Sequence, residues 1–189
     1  MSGLLLVMTG PSGVGKSTLV ASVREQIPEV EFSVSCTTRP RRTGETHGSD
    51  YYFIDDAEFA RRRDAGDFLE HATVHGNSYG TLRTLATDRV AAGAVVLLDI
   101  DVQGAAQVRD SGIEASFLFV LPPSFEVLEA RLRGRATDTE AVISGRLVTA
   151  RQELKEADWF DARVVNDDLP RATAEFVAFV RAERAARAP

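Results

Sequence analysis

The apolar positions fall into two kinds of segment along the chain. Leu4-Leu5-Leu6-Val7-Met8 is an unbroken apolar run ended by Thr9-Gly10-Pro11, the pattern of a short strand covered on both faces. From Thr18 to Ile27 the apolar residues are Leu19, Val20, Val23 and Ile27, a helical stripe stopped by Pro28. Ala94–Ile100 and Ala115–Leu121 repeat the buried-strand pattern, the second ended by Pro122-Pro123, and Arg163-Val164-Val165 adds a short fourth run. Helices are predicted over 82–92, 124–133, 140–155 and 169–188. Phe176, Val177, Phe179 and Val180 pack the last of them on the sheet, and Trp159 and Phe160 join the core. Strands alternating with helices predict an α/β fold with a parallel sheet flanked by helices.

Two segments break that rhythm. Phe32–Cys36, Tyr51–Ile54 and Phe68–Glu70 read as short strands joined by polar, glycine-containing loops, with a helix over 56–65 and a further turn at Gly76-Asn77. This predicts a small antiparallel insertion on the parallel core. The stretch from Arg131 to Arg146 is arginine-rich, polar and interrupted by Gly134, and reads as a mobile flap.

Composition narrows the class. The 189 residues, 44% apolar and 26% charged, are enough for one domain with a sizeable core. The net charge of −6 argues against a generally basic nucleic-acid binder, and Arg61-Arg62-Arg63 reads as a solvated helix face. A single cysteine, Cys36, excludes an internal disulfide, and packing is its expected role. The first apolar run is too short for a signal segment, and no run approaches the roughly 18 apolar residues that span a bilayer. A cytoplasmic protein without a membrane partner is expected. Nothing in the sequence selects between a monomer and a homo-oligomer. His47, His71 and His75 form no metal-ligand pattern. Of the 22 basic residues only Lys16 and Lys155 are lysine.

Lys16 falls in the strongest motif of the chain. Gly10-Pro11-Ser12-Gly13-Val14-Gly15-Lys16-Ser17 fits G-x-x-x-x-G-K-[ST] without a mismatch, between a buried strand and an amphipathic helix. Glycines let such a loop curl with its N–H groups inward, and the following helix turns its N-terminal dipole towards the anion. These residues, with Thr18, are therefore the expected ATP-binding segment. Lys16 reaches the β- and γ-phosphates, and the Ser17 hydroxyl is a ligand of Mg²⁺. Asp99 ends the strand Val95-Val96-Leu97-Leu98 at the mouth of the sheet, where it would orient Mg²⁺ directly or through water. Asp101, two residues on, points to the same side of an extended chain.

A phosphate loop names a nucleoside triphosphate but not an acceptor. Arg39, Arg41 and Arg42, followed by Tyr51 and Tyr79, supply guanidinium forks and hydroxyls suited to gripping a second phosphate. Glu70 has no use towards a phosphate. A carboxylate accepts two hydrogen bonds from adjacent donors, and the guanine edge offers N1–H and the 2-amino group, a pair adenine lacks.

Further motifs carry a family resemblance over nearly the whole chain. They are Ser35-x-Thr37-Thr38-Arg39, Gly44-Glu45, Gly48-x-Asp50-Tyr51, Gly76-Asn77-x-Tyr79-Gly80-Thr81, Leu98-Asp99-Ile100-Asp101-x-Gln103-Gly104, the flap pattern from Arg131 to Leu147, and Val165-Asn166-Asp167. In order and spacing the chain resembles the guanylate kinases. The resemblance implies transfer of the ATP γ-phosphoryl group to GMP, and to dGMP, with ADP and GDP as products and Mg²⁺ as cofactor. It implies a P-loop core over 1–31, 85–125 and 153–189, a GMP-binding insertion over 32–84 and a helical lid over 126–152. Carried over by position, Ser35, Glu70 and Thr81 meet guanine, and Arg39, Arg42, Tyr51 and Tyr79 meet the GMP phosphate. Asp101 approaches the guanosine, Arg135 and Arg146 are lid arginines, and Asn166 lies near adenine. The chain departs from the family pattern in having Arg41, not proline, before Arg42, and Ser78 where a second tyrosine is common. Register with Gly44-Glu45 favours Arg42 over Arg41 as the phosphate ligand.

On this reading Lys16, Arg42, Arg135 and Arg146 are the catalytic residues. They neutralise charge on the moving group, and no general base is needed because the GMP phosphate is already ionised. Two rival readings are a related binding module without catalysis, which would be expected to lose Lys16 or the lid arginines, and a P-loop kinase acting on another phosphorylated sugar or nucleotide, against which Ser35, Glu70 and Thr81 argue.

Overall fold

The structure, a computed structural model, describes residues 3–74, 76–134 and 139–187. The expected lid residue Arg135 and His75 lie outside the described residues. Among the described residues the chain forms two sheets. The larger has five parallel strands, β1 (Leu4–Thr9), β2 (Val30–Phe32), β7 (Val95–Asp99), β8 (Ser116–Leu121) and β9 (Ala162–Val165), in the order β2-β7-β1-β8-β9. The smaller contains β3 (Cys36–Thr37), β4 (Tyr52–Phe53), β5 (Phe68–Val74) and β6 (Asn77–Leu82), in the order β4-β3-β6-β5. It is antiparallel except for the parallel edge pairing of β3 with β4.

The pleat of β1 explains why the run at its start is apolar throughout. Leu4, Leu6 and Met8 belong to one core, shared with α1 (Lys16–Gln26) and α7 (Leu169–Ala186), where Phe176, Val177 and Val180 are buried. Leu5 and Val7 face the other way, into a core shared with α3 (Arg83–Ala91) and α4 (Val102–Asp110). Each side chain buried this way contributes roughly 1.5–3 kcal/mol relative to exposure. With both faces covered, the sheet leaves only its strand ends for chemistry. The carboxyl ends of β1 and β7 lie side by side, since Met8 pairs with Asp99 and the Thr9 hydroxyl donates to the Ile100 carbonyl at 3.0 Å.

Three differences from the sequence reading have physical causes. The single strand expected over 32–36 is two: Val30–Phe32 extends the core sheet on β7, with Phe32 opposite Leu97, and Cys36–Thr37 starts the small sheet. The helix α4 has no counterpart among the sequence-based helices, because Gly104 and small residues blur its apolar stripe. Asp101 is its N-cap, accepting from the Gly104 N–H at 2.8 Å. The stretch read as a flap is largely helical. α5 (Phe125–Arg133) runs up to Gly134 and α6 (Glu140–Glu153) follows, continuing into a 3₁₀ turn over Leu154–Trp159. Helix α2 (Asp56–Asp64) is capped by Asp55 and closes a small core of Cys36, Phe59 and Phe68 under the small sheet. No helix among the described residues is long and apolar enough to cross a membrane.

Candidate active site

The loop after β1 is the first half of the site. Gly13 and Gly15 have φ of +88° and +100°, backbone conformations that side chains rarely adopt. At Gly15 a Cβ would come within 2.5 Å of Asn166 Nδ2 as well. Lys16, Ser17 and Thr18 form the first turn of α1, which has no side-chain cap and no acidic residue there. Its free N–H groups and dipole suit an anion. Lys16 folds back along the loop: its Nζ donates to the Gly10 carbonyl at 2.6 Å and lies 3.7 Å from Asp99 Oδ1. Burial pushes the Asp99 carboxyl above its ordinary value, and Lys16 opposes that rise.

The loop is braced from behind by residues with no assigned bracing role in the sequence. Arg131, on α5, donates to the Val14 carbonyl at 3.0 Å and the Asn166 carbonyl at 2.9 Å. Asn166, just past β9, adds its own Nδ2 to Val14 O at 2.9 Å. One guanidinium thus ties the phosphate loop to the end of β9.

The second half faces the loop across a cleft of about 410 Å³, lined from the core by Gly10, Ser12, Lys16, Asp99 and Asp101 and from the small sheet by Ser35, Tyr51, Glu70 and Tyr79. Alternation along the small sheet sorts the side chains. Ser35, Tyr51 and Tyr79 face the cleft, whereas Cys36, Tyr52 and Leu82 face the opposite side. There they border a second cavity of about 540 Å³, which is larger but has neither the loop nor Lys16. Chemistry, not size, therefore selects the first cavity. Cys36 is packed away from the cleft, and burial pushes its thiol up to about 11.

Glu70 sits at the floor, 4% exposed. Thr81 donates its hydroxyl to Glu70 Oε1 at 2.6 Å, and Ser35 Oγ lies 3.4 Å from the same hydroxyl. The other carboxylate oxygen packs against α4, where a Cβ on Gly104 would approach Oε2 to 2.5 Å. Burial raises the Glu70 carboxyl to about 7, against the Thr81 hydrogen bond and with the added repulsion of Asp101. The rings of Tyr51 and Tyr79 lie 5.9 Å apart edge to face, and the Arg39 guanidinium stands 5.4 Å from the Tyr51 centroid.

Of the expected phosphate ligands, Tyr51 and Tyr79 line the cleft, whereas Arg39, Arg41 and Arg42 are not among its lining residues. Arg39 is half-buried beside Tyr51, whereas Arg41 and Arg42 are exposed on the loop that follows it. Arg146 is half-buried on α6 and does not line the cleft. Glu153 does line it, and the sequence reading gave it no role. Burial and Asp101 raise its carboxyl while Lys16 lowers it. It is seven residues beyond Arg146, two turns and about 10 Å along the same helix face. Among the described residues no group of three His, Cys, Asp or Glu is arranged to hold a metal.

Comparison with known proteins agrees with this architecture. The guanylate kinase family model matches residues 2–183. A guanylate kinase of Aromatoleum aromaticum is 50% identical over 184 residues, 97% of this chain and 90% of that protein. One from Frankia casuarinae is 51% identical over 176 residues, 93% of this chain and 96% of that protein. The crystal structure of guanylate kinase from Anaplasma phagocytophilum superposes with a TM-score of 0.78 at 34% identity, covering 96% of this chain and 86% of that one. A match of this extent, on a chain whose phosphate loop faces a buried carboxylate, makes it a member of the guanylate kinase family.

Proposed function

We propose that the cleft between the phosphate loop and the small sheet is where this enzyme transfers the γ-phosphoryl group of ATP to GMP, giving ADP and GDP. The observation that carries the assignment of halves is that Lys16 and the buried Glu70 line one cavity from opposite sides. ATP would bind through Gly10 to Thr18, with Asn166 on the adenine side. GMP would bind on the small sheet, its base edge on Glu70, Ser35 and Thr81 and its phosphate on Arg39, Arg42, Tyr51 and Tyr79, with Asp101 beside the guanosine. By this reading dGMP is a second acceptor, since the base-reading residues would be the same. Core, insertion and lid would correspond to the segments expected from the sequence, with α5 and α6 as the described parts of the lid.

In the reaction a GMP phosphate oxygen attacks the γ-phosphorus as the bond to the β,γ-bridging oxygen breaks, and the electron pair of that bond leaves with ADP. The nucleophile is already ionised, so the protein has no proton to remove. Its work is to align the two phosphates and to neutralise charge in a site closed to water. Lys16 acts from the loop, Arg42 from the acceptor side, and Arg135 and Arg146 from the lid. Repulsion between two polyanions makes these cations the main source of rate.

The donor set also fits Mg²⁺. Ser17, in the first turn of α1, and Asp99, at the end of β7, offer hard oxygens that would hold it, Asp99 directly or through water, and the lack of a protein cage among the described residues suits an ion held mostly by water and nucleotide phosphates. Bound there with ATP, it would withdraw charge from the β- and γ-oxygens. The single cysteine and the two nucleotide substrates favour a cytoplasmic setting.

An ATP-coupled assay with GMP, dGMP, AMP and ribose phosphates tests the acceptor. Turnover with GMP and dGMP, and at least about 10⁴-fold less with AMP, is the expected result for a site built on guanine donors. Comparable turnover with AMP overturns the role given to Glu70.

A further inference from the structure

We propose that Glu45 is a positioning residue for the acceptor phosphate, holding the Arg39 guanidinium by one edge so that its other edge is presented to GMP. The inference rests on the reading of Arg39 as a phosphate ligand and goes beyond it to the residue behind.

The geometry is a closed network on the loop between β3 and β4. Arg39 donates to both oxygens of Glu45, Nη2 to Oε1 at 2.7 Å and Nη1 to Oε2 at 3.1 Å. Nη1 also donates to the Pro40 carbonyl at 2.9 Å. Glu45 Oε2 accepts the backbone N–H of Arg42 at 2.8 Å, and the Glu45 N–H returns to the Arg42 carbonyl at 3.2 Å. Gly44, at φ +90°, turns the chain to make this closure possible. One carboxylate therefore fixes the orientation of Arg39 and the backbone that carries Arg42.

A guanidinium has five N–H donors in a rigid fork. Both donors of Nη1 and one of Nη2 are spent on Glu45 and Pro40. What remains is the edge formed by Nε and the second Nη2 hydrogen, a second fork of the shape that takes two phosphate oxygens, and the Tyr79 hydroxyl, itself an expected phosphate ligand, lies within hydrogen-bond reach of the same guanidinium. The rings of Tyr51 and Phe53, with centroids 5.4 and 5.8 Å from the guanidinium carbon, limit its tilt. Glu45 also offsets part of the repulsion among Arg39, Arg41 and Arg42 before any phosphate arrives. The Glu45 carboxyl is held below its ordinary value, chiefly by Arg39 and then by the Arg42 N–H, so it stays ionised at neutral pH.

An ordinary exposed ion pair would contribute little and would not distinguish one ligand from another. The test uses that difference. Binding of GMP and of guanosine, which lacks the phosphate, is measured by calorimetry for the wild type, Glu45→Gln, Arg39→Ala and the double variant. Glu45→Gln is expected to weaken GMP about tenfold, the scale of one charge-assisted contact, and to leave guanosine within about twofold. In the Arg39→Ala background the same change is expected to cost GMP clearly less, the remainder being the hold of Glu45 on the Arg42 backbone. Equal losses for GMP and guanosine, or the same loss with Arg39 absent, overturn the proposal. If Arg39→Ala itself fails to weaken GMP relative to guanosine, the phosphate assignment of Arg39 fails instead.

Discussion

Thr81 donates its hydroxyl to Glu70 at 2.6 Å on the floor of the cleft, so one oxygen of the carboxylate proposed to read the base is held from within the small sheet. Burial keeps the Glu70 carboxyl near 7 even so, and both function and stability should report it. The ionised form accepts two N–H donors, whereas the protonated form turns an O–H towards them. The kcat/KM for GMP should therefore fall as pH drops below about 7, the range in which the free enzyme titrates. Guanosine binding, free of phosphate ionisation, should fall over the same range. Glu70→Gln should weaken GMP use far more than ATP binding and abolish the guanosine limb. A wild-type profile flat from pH 8 to 5.5 would sink the assignment.

The same carboxyl lowers stability where it is ionised. Its folded value lies above the ordinary 4.5, so the folded state holds the proton more tightly than the unfolded chain. That contribution is complete below about 4.5 and is lost as pH rises through about 7. A rise of this size corresponds to roughly 3 kcal/mol. Glu70→Gln should accordingly unfold at higher denaturant than the wild type at pH 8, with the advantage gone near pH 4.5. An equal gain at both pH values would mean that burial of the charge is not its source.

How much of this was readable beforehand depends on the range of each interaction. The phosphate loop is local, with strand, glycines, lysine and helix in consecutive residues, and β1 and α1 fall where the apolar pattern puts them. The sequence singles out Glu70 as an acid among arginines, and its burial in the cleft that Lys16 also lines is what the structure adds. Arg131 and Glu153 were not legible, because their partners are remote. Arg131 meets Val14 across 117 positions, and Glu153 enters the cleft only because α6 ends there. β2 is legible only through its pairing with β7, which separates Phe32 from Cys36. Helix α4 is masked by Gly104, the residue whose missing Cβ leaves room for Glu70.

Gly104 gives a prediction with two effects of opposite sign. Alanine raises helix propensity by about 1 kcal/mol over glycine, and Gly104 lies inside α4 without a left-handed φ. Its Cβ, however, would stand 2.5 Å from Glu70 Oε2, so the carboxylate must move. Gly104→Ala should keep or raise the melting temperature while KM for GMP rises about tenfold or more, the loss of one hydrogen bond to a charged group. KM for ATP should stay within about twofold. A normal KM for GMP would show that Glu70 can shift without losing the base.

Arg146 tests the lid. It lies two turns, about 10 Å, from Glu153 along α6, and on the proposed reading its contact with the moving phosphoryl would form as that helix approaches the core. Arg146→Ala should leave GMP affinity unchanged and lower kcat by about 10³-fold, the scale of an arginine supplied to a phosphoryl transition state. Loss of GMP binding with normal turnover at saturation would assign Arg146 to the ground state instead.

Arg131 tests the brace behind the loop. Its two donors reach the carbonyls of Val14 and Asn166 at 3.0 and 2.9 Å, a spacing that a planar fork spans and a single ammonium does not. Arg131→Ala should cost roughly 1–3 kcal/mol of stability, since two part-buried carbonyls lose a charged partner while Asn166 still holds Val14. The loop would then sample shapes in which its N–H groups no longer converge, so KM for ATP should rise several-fold and KM for GMP should not. Arg131→Lys should behave like alanine towards ATP despite keeping the charge. Recovery of ATP affinity by lysine would mean that Arg131 acts through its charge on the bound phosphates, and that the loop holds its shape without the fork.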